Sequence, residues 1–124
     1  AITHLDNLTA VDTTDGGTIA IGESVTGELA PRQRIRYELQ VSEGDVINIF
    51  ADATDAETLD TVIRLYFPGS EDVVAANDDA DDSTSNAALQ GLEIPQDLTL
   101  LVEVGSFEDD GSGEFTLRIE NAAE

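Results

Sequence analysis

The chain contains no cysteine, so it can form neither disulfides nor thiolate metal sites, and it has no Cys nucleophile. Lysine is also absent, and the single histidine, His4, lies four residues into the sequence. A Ser-His-Asp arrangement would depend on that early segment, where order and burial are least expected. The six aromatic residues, two Tyr and four Phe with no Trp, offer little surface for stacking a sugar. We therefore predict that the chain is not an enzyme and has no catalytic residues.

Positive charge is scarce as well. Five Arg stand against 27 Asp and Glu, which gives a formal net charge of -22. Such a surface repels nucleic acid phosphates and anionic lipid heads, so neither is an expected partner. No apolar run is long enough to span a bilayer, which argues against membrane insertion. Divalent cations, a basic partner protein or a concentrated salt medium remain as explanations of the charge.

The length and apolar content fit one folded domain. The 124 residues include 40% hydrophobic ones, which is enough for a packed interior. We assign residues 18–124 to a single domain. Residues 1–17 are polar and rich in Thr, and they are interpreted as an N-terminal arm or an edge strand.

Hydrophobic residues recur with a period of two, which is typical of half-buried strands. In "RIRYELQV", residues 34–41, Ile35 and Tyr37 face one way while Arg34 and Arg36 face the other. Gly-rich turn signals separate the segments, and only residues 54–60 suit a short helical turn. The predicted fold is an all-β antiparallel sandwich, jelly-roll-like, with eight or nine strands. The strands are predicted near residues 18–21, 24–29, 34–41, 46–53, 62–67, 73–77, 87–94, 98–104 and 114–119.

The same alternation predicts the core. Its members are the apolar residues on the inward face of each strand: Val25, Leu29, Ile35, Tyr37, Leu39, Val41, Ile47, Ile49, Ile63, Leu65, Phe67, Val74, Leu89, Leu92, Leu100, Val102, Val104, Phe115, Leu117 and Ile119.

The most acidic stretch is "AANDDADDSTSN", residues 75–86, with Asp78, Asp79, Asp81 and Asp82 inside five positions. Like charges this close repel one another, so a cation or hydrogen-bond donors would stabilise them. Ca²⁺ prefers six to eight oxygen ligands, which clustered Asp and Asn side chains supply. No register of the loop places Gly sixth and Glu twelfth, so it is not an EF-hand. The alternatives are a solvated acidic turn and adaptation to high salt.

Five segments together resemble a known family. They are "IGESVTGELAP" (21–31), "IRYELQVSEGDVINI" (35–49), "LDTVIRLYFPGSEDVVAANDDADD" (59–82), "NAALQGLEIP" (86–95) and "LLVEVGSFEDDGSGEFTLRI" (100–119). The chain resembles the bacterial and archaeal pre-peptidase C-terminal domain, a small β-sandwich appended to secreted peptidases and related in fold to clostridial collagen-binding domains. The segment 59–82 is the most specific part of the match.

The resemblance implies a noncatalytic accessory module, extracellular or at the cell surface, that serves binding or targeting. Some relatives bind calcium through acidic loops, and the matching positions here are Asp60 and residues 77–79. A hairpin at residues 68–69 would return the chain so that these positions lie beside Asp60. The predicted Ca²⁺ ligands are Asp60, Asn77, Asp78, Asp79, Asp81 and Asp82.

The expected partner is an extracellular protein or the parent polypeptide. The alternative hypothesis is a structural subunit of a cell-surface or filament assembly. In that case the polar first segment would add to the sheet edge of a neighbouring copy.

Overall fold

The computed structural model describes residues 12–54, 59–69, 72–77, 87–106 and 111–122. These residues form nine strands and no helix, so they include no helix with the length and hydropathy needed to cross a membrane. The strands are β1 (Asp12–Ile19), β2 (Ser24–Leu29), β3 (Gln33–Val41), β4 (Val46–Ala53), β5 (Thr61–Tyr66), β6 (Ala75–Asn77), β7 (Ala87–Glu93), β8 (Leu98–Ser106) and β9 (Gly113–Asn121).

The strands form two sheets that pack face to face. One has the order β1-β3-β8-β5-β6, and the other has the order β2-β9-β4-β7. From β2 to β9 the chain alternates between the sheets except at the β5–β6 hairpin, which is the strand order of a jelly roll. All pairs are antiparallel except β1 with β3, which is parallel. The predicted β-sandwich of eight or nine strands is confirmed.

Strand positions agree closely except at the start. β2 and β4 have the predicted bounds. The strand predicted near 18–21 overlaps β1 at residues 18 and 19, but its bounds are wrong because β1 begins at Asp12 and ends at Ile19. The chain then turns at residues 20–23, where Glu23 N donates to Ala20 O at 3.0 Å and Gly22 has a φ of 92°. Residues 12–17, interpreted as an arm or an edge strand, lie in β1. The predicted helical turn falls largely on 55–58, outside the described residues.

The core lies between the sheets and follows the predicted alternation. Its largest fully buried side chains include Phe115, Leu39, Ile49 and Leu117. Val25 and Leu92 are half-buried and pack against it. The alternation did not identify Ile19, Ala51, Leu59, Ala87 and Ile94, all of which are buried.

Two predicted core residues are exposed instead. Phe67 and Val74 are each 45% exposed. Both lie just outside β5 and β6, at the end of the sandwich where the sheets no longer cover each other. Alternation indicates the face toward which a side chain points, but it does not say whether that face is still covered beyond the last paired residue.

A glycine lets the two sheets approach closely. Gly27 pairs with Phe115 across β2 and β9, and a Cβ there would lie 2.7 Å from Phe115 Cζ and 2.8 Å from Tyr37 Oη. The rings of Tyr37 and Phe115 meet edge to face, 6.5 Å apart at 80°. The absence of a side chain at Gly27 therefore makes room for this aromatic pair.

Candidate functional site

Two of the predicted metal ligands, Asp60 and Asn77, lie at the end of the sandwich where β5 begins and β6 ends. β5 and β6 pair antiparallel, with Asn77 opposite Ile63, and Asp60 directly precedes β5. The backbone of β6 therefore returns alongside β5, as predicted from the hairpin at residues 68–69. The structure describes only the backbone of Asn77. Asp78, Asp79, Asp81 and Asp82 lie outside the described residues, so the convergence of the six ligands stays a prediction.

Asp60 lies at a well-fixed position. It is half-buried, with a buried Oδ1 atom, between the buried residues Leu59 and Thr61. Thr61 Oγ1 donates to Ala51 O at 2.7 Å and accepts from Ala87 N at 2.8 Å, which ties β5 to the opposite sheet. Within the described ranges no three Asp, Glu or His side chains are grouped so as to hold a metal ion.

A cluster of charged side chains lies on the outer face of the five-stranded sheet. Arg36 of β3 and Arg64 of β5 both pair in register with Glu103 of β8. Arg36 Nε lies 2.9 Å from Glu103 Oε2, and Glu103 Oε1 lies 3.4 Å from Arg64 Nη1 and 3.5 Å from Arg34 Nη1. Glu103 is completely buried. We call these residues, together with Tyr66, the arginine cluster.

Tyr66 completes the cluster. Its hydroxyl donates to Glu103 Oε1 at 3.2 Å, and the Arg36 guanidinium lies 4.2 Å from the centre of its ring. Burial raises the pKa of Tyr66, and the charge of Glu103 and this hydrogen bond raise that pKa further, against the opposing effect of Arg36 and Arg64. The neutral phenol is therefore the form that the folded protein favours.

The arginine cluster joins three neighbouring strands. Three of the five Arg of a strongly acidic chain surround one carboxylate, and Arg34 and Arg36 make further contacts. The small residue Gly105 leaves space for Arg34, whose Cγ lies 3.2 Å from the place of a Cβ. Arginine stays protonated at every physiological pH, so the cluster has no general base beyond the ion-paired Glu103. Its chemistry is that of a buried ion-pair network.

The alternating pattern did not predict this cluster. It predicted that Arg34 and Arg36 lie on the outward face of their strand, but it did not indicate that Glu103 is their partner. The available signal was one Glu at an outward position of the apolar strand "LLVEV", residues 100–104. That signal becomes specific only with the register of β8 against its two neighbours.

A second feature is an apolar groove at the end of the sandwich away from Asp60. It has a volume of about 170 Å³ and opens between the β5–β6 turn and the segment that joins β7 to β8. We call it the end groove; its lining includes Leu65, Phe67, Val74, Leu92, Ile94 and Leu98. A cleft of larger volume, about 280 Å³, lies beside β1 and is lined by Thr13, Thr14, Asp15, Arg36, Glu38 and Leu101.

The fold connects the chain to known structures. The structure superimposes on the pre-peptidase C-terminal domain of collagenase from Bacillus anthracis with a TM-score of 0.64, covering 88% of this chain and 95% of that domain at 11% identity. The two share one fold. The resemblance inferred from the sequence is therefore confirmed at the level of architecture.

Other solved structures are also similar to this chain in fold. PliG of Aeromonas hydrophila, a periplasmic inhibitor of g-type lysozyme, matches with a TM-score of 0.59 over 89% of this chain and 99% of that one, at 14% identity. The Yersinia pseudotuberculosis-derived mitogen matches with a TM-score of 0.58 over 82% and 86%, at 10% identity. No protein-family model and no curated protein matches the chain by sequence.

Proposed function

We propose that this chain is a noncatalytic binding module that works outside the cytoplasm. The observation that carries the proposal is the shared fold, which spans nearly the whole of two compact proteins. One of them is the pre-peptidase C-terminal domain of a collagenase, and the other is a periplasmic inhibitor of g-type lysozyme. Because a fold can host several functions, the proposal also depends on the chemistry of the residues.

The chemistry supports binding rather than reaction. The chain lacks Cys and Lys and contains a single His, His4. In the described residues the buried carboxylate Glu103 is engaged by arginines, and Arg118 pairs with Asp52 and Glu120 on the other sheet. These groups stabilise the sheets and leave no activated nucleophile among them.

A binding experiment tests this proposal. The chain is immobilised, and collagen fibrils and g-type lysozyme are passed over it as two extracellular probes suggested by the structural neighbours. Saturable binding to either probe, without cleavage of gelatin or of bacterial cell walls by the isolated chain, is the expected result. Hydrolysis that copurifies with the chain through two columns would contradict the proposal. The absence of binding to both probes would exclude collagen and g-type lysozyme as its partners.

We further propose that Ca²⁺ stabilises the module through Asp60, Asn77, Asp78, Asp79, Asp81 and Asp82. The antiparallel β5–β6 pairing supports this, since it returns the chain toward the segment that contains Asp60. Carboxylate and amide oxygens on a fixed scaffold are ligands that Ca²⁺ prefers. A bound cation would also relieve the repulsion among the Asp residues.

Thermal unfolding with Ca²⁺ or with EGTA tests the metal. Calcium at one hundred times its dissociation constant should stabilise the fold by about 2.7 kcal/mol. Sodium chloride at equal ionic strength is the control for screening. The double substitution Asp78→Asn and Asp79→Asn should abolish the calcium-dependent shift. A midpoint that EGTA does not change would contradict a calcium site.

The alternative of a structural subunit has one supporting observation. β1 lies at the edge of its sheet, and in the described residues it pairs only with β3. An edge strand can accept a further strand from a neighbouring copy. Size-exclusion chromatography separates the two functions, because a binding module elutes as a monomer whereas an assembly subunit elutes at a size that grows with concentration.

A further inference from the structure

The end groove exposes apolar surface that the rest of the described protein keeps covered. The large hydrophobic side chains that are exposed in the described residues are Phe67, Val73 and Val74, and all three lie on the β5–β6 turn. Phe67 and Val74 line the end groove, while Val73 is 47% exposed beside them. Clustered apolar surface on an otherwise acidic protein typically marks an interaction site.

The shape of the end groove favours a single anchoring side chain. Its walls come from both sheets, with Leu65 on one side and Leu92 on the other, and the buried residue Ile94 also lines it. The volume of about 170 Å³ is close to that of engineered apolar cavities that hold one benzene molecule. One large apolar side chain would therefore fill the groove.

The rim of the end groove is acidic. Glu93 lines the groove and is exposed. Asp97 lies on the segment between β7 and β8 and accepts a hydrogen bond from Glu43 N at 2.9 Å, which brings Glu43 to the same end. Asp45 lies on the adjoining turn, where its carbonyl oxygen accepts from Ile94 N at 2.9 Å. None of the five arginines lines the groove.

We infer that the end groove binds a cationic protein segment that inserts one large apolar side chain between flanking Lys or Arg residues. The apolar walls would hold the anchor, and the acidic rim would attract the flanking charges. A second copy of the chain is disfavoured because each copy has a net charge of -22, so two copies repel each other. This inference rests on the proposed binding function and specifies the chemistry of its partner.

The test uses three fluorescein-labelled peptides and anisotropy at 50 mM and 500 mM NaCl. The first has one Phe between two pairs of Lys, the second has Ser in place of Phe, and the third has Glu in place of Lys. We expect binding of the first peptide alone, and weaker binding at the higher salt concentration because rim charges are screened. Equal affinity for the Phe and Ser peptides would overturn the inference.

Substitutions locate the binding site. Phe67→Ser and, separately, Val74→Ser should weaken binding of the Phe peptide, with a loss of about tenfold for Phe67→Ser, as is typical when an interface anchor is removed. Glu93→Gln should weaken it about twofold or more, as is typical of one exposed charge pair. Glu28→Gln, an exposed acidic position at the opposite end of the sandwich, is the matched control and should leave the affinity unchanged. Circular dichroism verifies that each variant is folded.

The outcomes separate this inference from the proposed function. One outcome would overturn the end groove as the binding site and leave the binding function intact. In that outcome the Phe peptide does not bind, and Phe67→Ser does not weaken the binding of collagen or lysozyme. Peptide binding that Phe67→Ser weakens about tenfold supports the end groove even when neither protein probe binds. A dimer at 500 mM NaCl that Phe67→Ser dissociates would overturn the inference, because the occupant would then be a second copy.

Discussion

Arg36 and Glu103 lie directly opposite each other on β3 and β8, and Arg36 Nε donates to Glu103 Oε2 at 2.9 Å. Glu103 is fully buried, so this pair is shielded from the solvent that weakens surface ion pairs. Arg64 approaches the same carboxylate from the other side, at 3.4 Å. Each of the three strands that form the middle of the sheet therefore contributes a charge to one network.

Glu103→Gln should destabilise the protein substantially. The substitution keeps the shape of the side chain but leaves the charges of Arg36 and Arg64 without their carboxylate. Loss of one partner from a buried ion pair typically costs about 3 kcal/mol or more. Urea unfolding measures the change. Glu38→Gln, exposed on β3, is the control and should change stability by less than about 0.5 kcal/mol. Equal stability of the two variants would contradict the assigned role.

Deprotonation of the tyrosines at alkaline pH should lower the free energy of unfolding. The pKa of Tyr66 is raised by burial and by Glu103, and burial raises that of Tyr37. A pKa that is higher in the folded than in the unfolded state means that folding favours the neutral phenol. The stability that each neutral tyrosine contributes is therefore fully present below the unfolded pKa of about 10, and it is lost as the pH rises through the folded-state pKa. Tyr37→Phe leaves Tyr66 as the only tyrosine. Its tyrosinate absorbance should then appear above pH 10 in the folded state and near pH 10 in guanidinium chloride; identical midpoints would refute the prediction.

Arg32→Gly should stabilise the turn between β2 and β3. Arg32 has a φ of 62°, which is left-handed and unfavourable for a residue with a Cβ, and Gln33 N closes the turn by donating to Ala30 O at 3.1 Å. Relief of a left-handed residue contributes about 1–2 kcal/mol, and the entropy of glycine offsets about 0.5–1 kcal/mol. We expect a small net gain in the unfolding midpoint. Arg32→Ala removes the same charge without relieving the backbone, so a gain in that variant would point to charge instead.

Gly27→Ala should destabilise the contact between the sheets. The new methyl group would lie 2.7 Å from Phe115 Cζ, and Phe115 is fully buried with little freedom to move. Forcing an extra carbon into a packed core typically costs about 1–3 kcal/mol. Thr26→Ala, at the exposed neighbouring position, is the control. A Gly27→Ala variant as stable as this control would show that the sheets can separate at no cost.

The sequence predicted much of the fold because alternation depends on each strand alone. Ile35, Tyr37 and Leu39 face the core as expected, since one side of β3 meets the opposite sheet and the other does not. The bounds of β1 were not predicted, because Ile19 is the only buried residue among residues 13–19 and the segment therefore carries no alternating signal. Phe67 and Val74 were placed in the core because alternation does not report where the covering sheet ends.

The candidate sites depended on information that no single strand contains. The antiparallel return of β6 beside β5 followed from the turn at residues 68–69, and it is confirmed for the pairing of Asn77 with Ile63. The role of Glu103 depends on the register of β8 against two strands that are distant in sequence, because Arg64 and Arg36 lie 39 and 67 residues away from Glu103. Such register is set by packing of the whole sheet.

The parallel pairing of β1 determines how the polypeptide passes through the module. Asp12 lies beside Gln33 at the start of β3, whereas Asn121 lies beside Ile47 near the start of β4. Because β3 and β4 run in opposite directions, these two points are separated by one strand length, about 30 Å at 3.3 Å per residue for the nine residues of β3. Polypeptide segments attached at these two points would leave the module at opposite ends. A force that pulls them apart would act along β1, so it would load all the hydrogen bonds between β1 and β3 in shear rather than break them one by one.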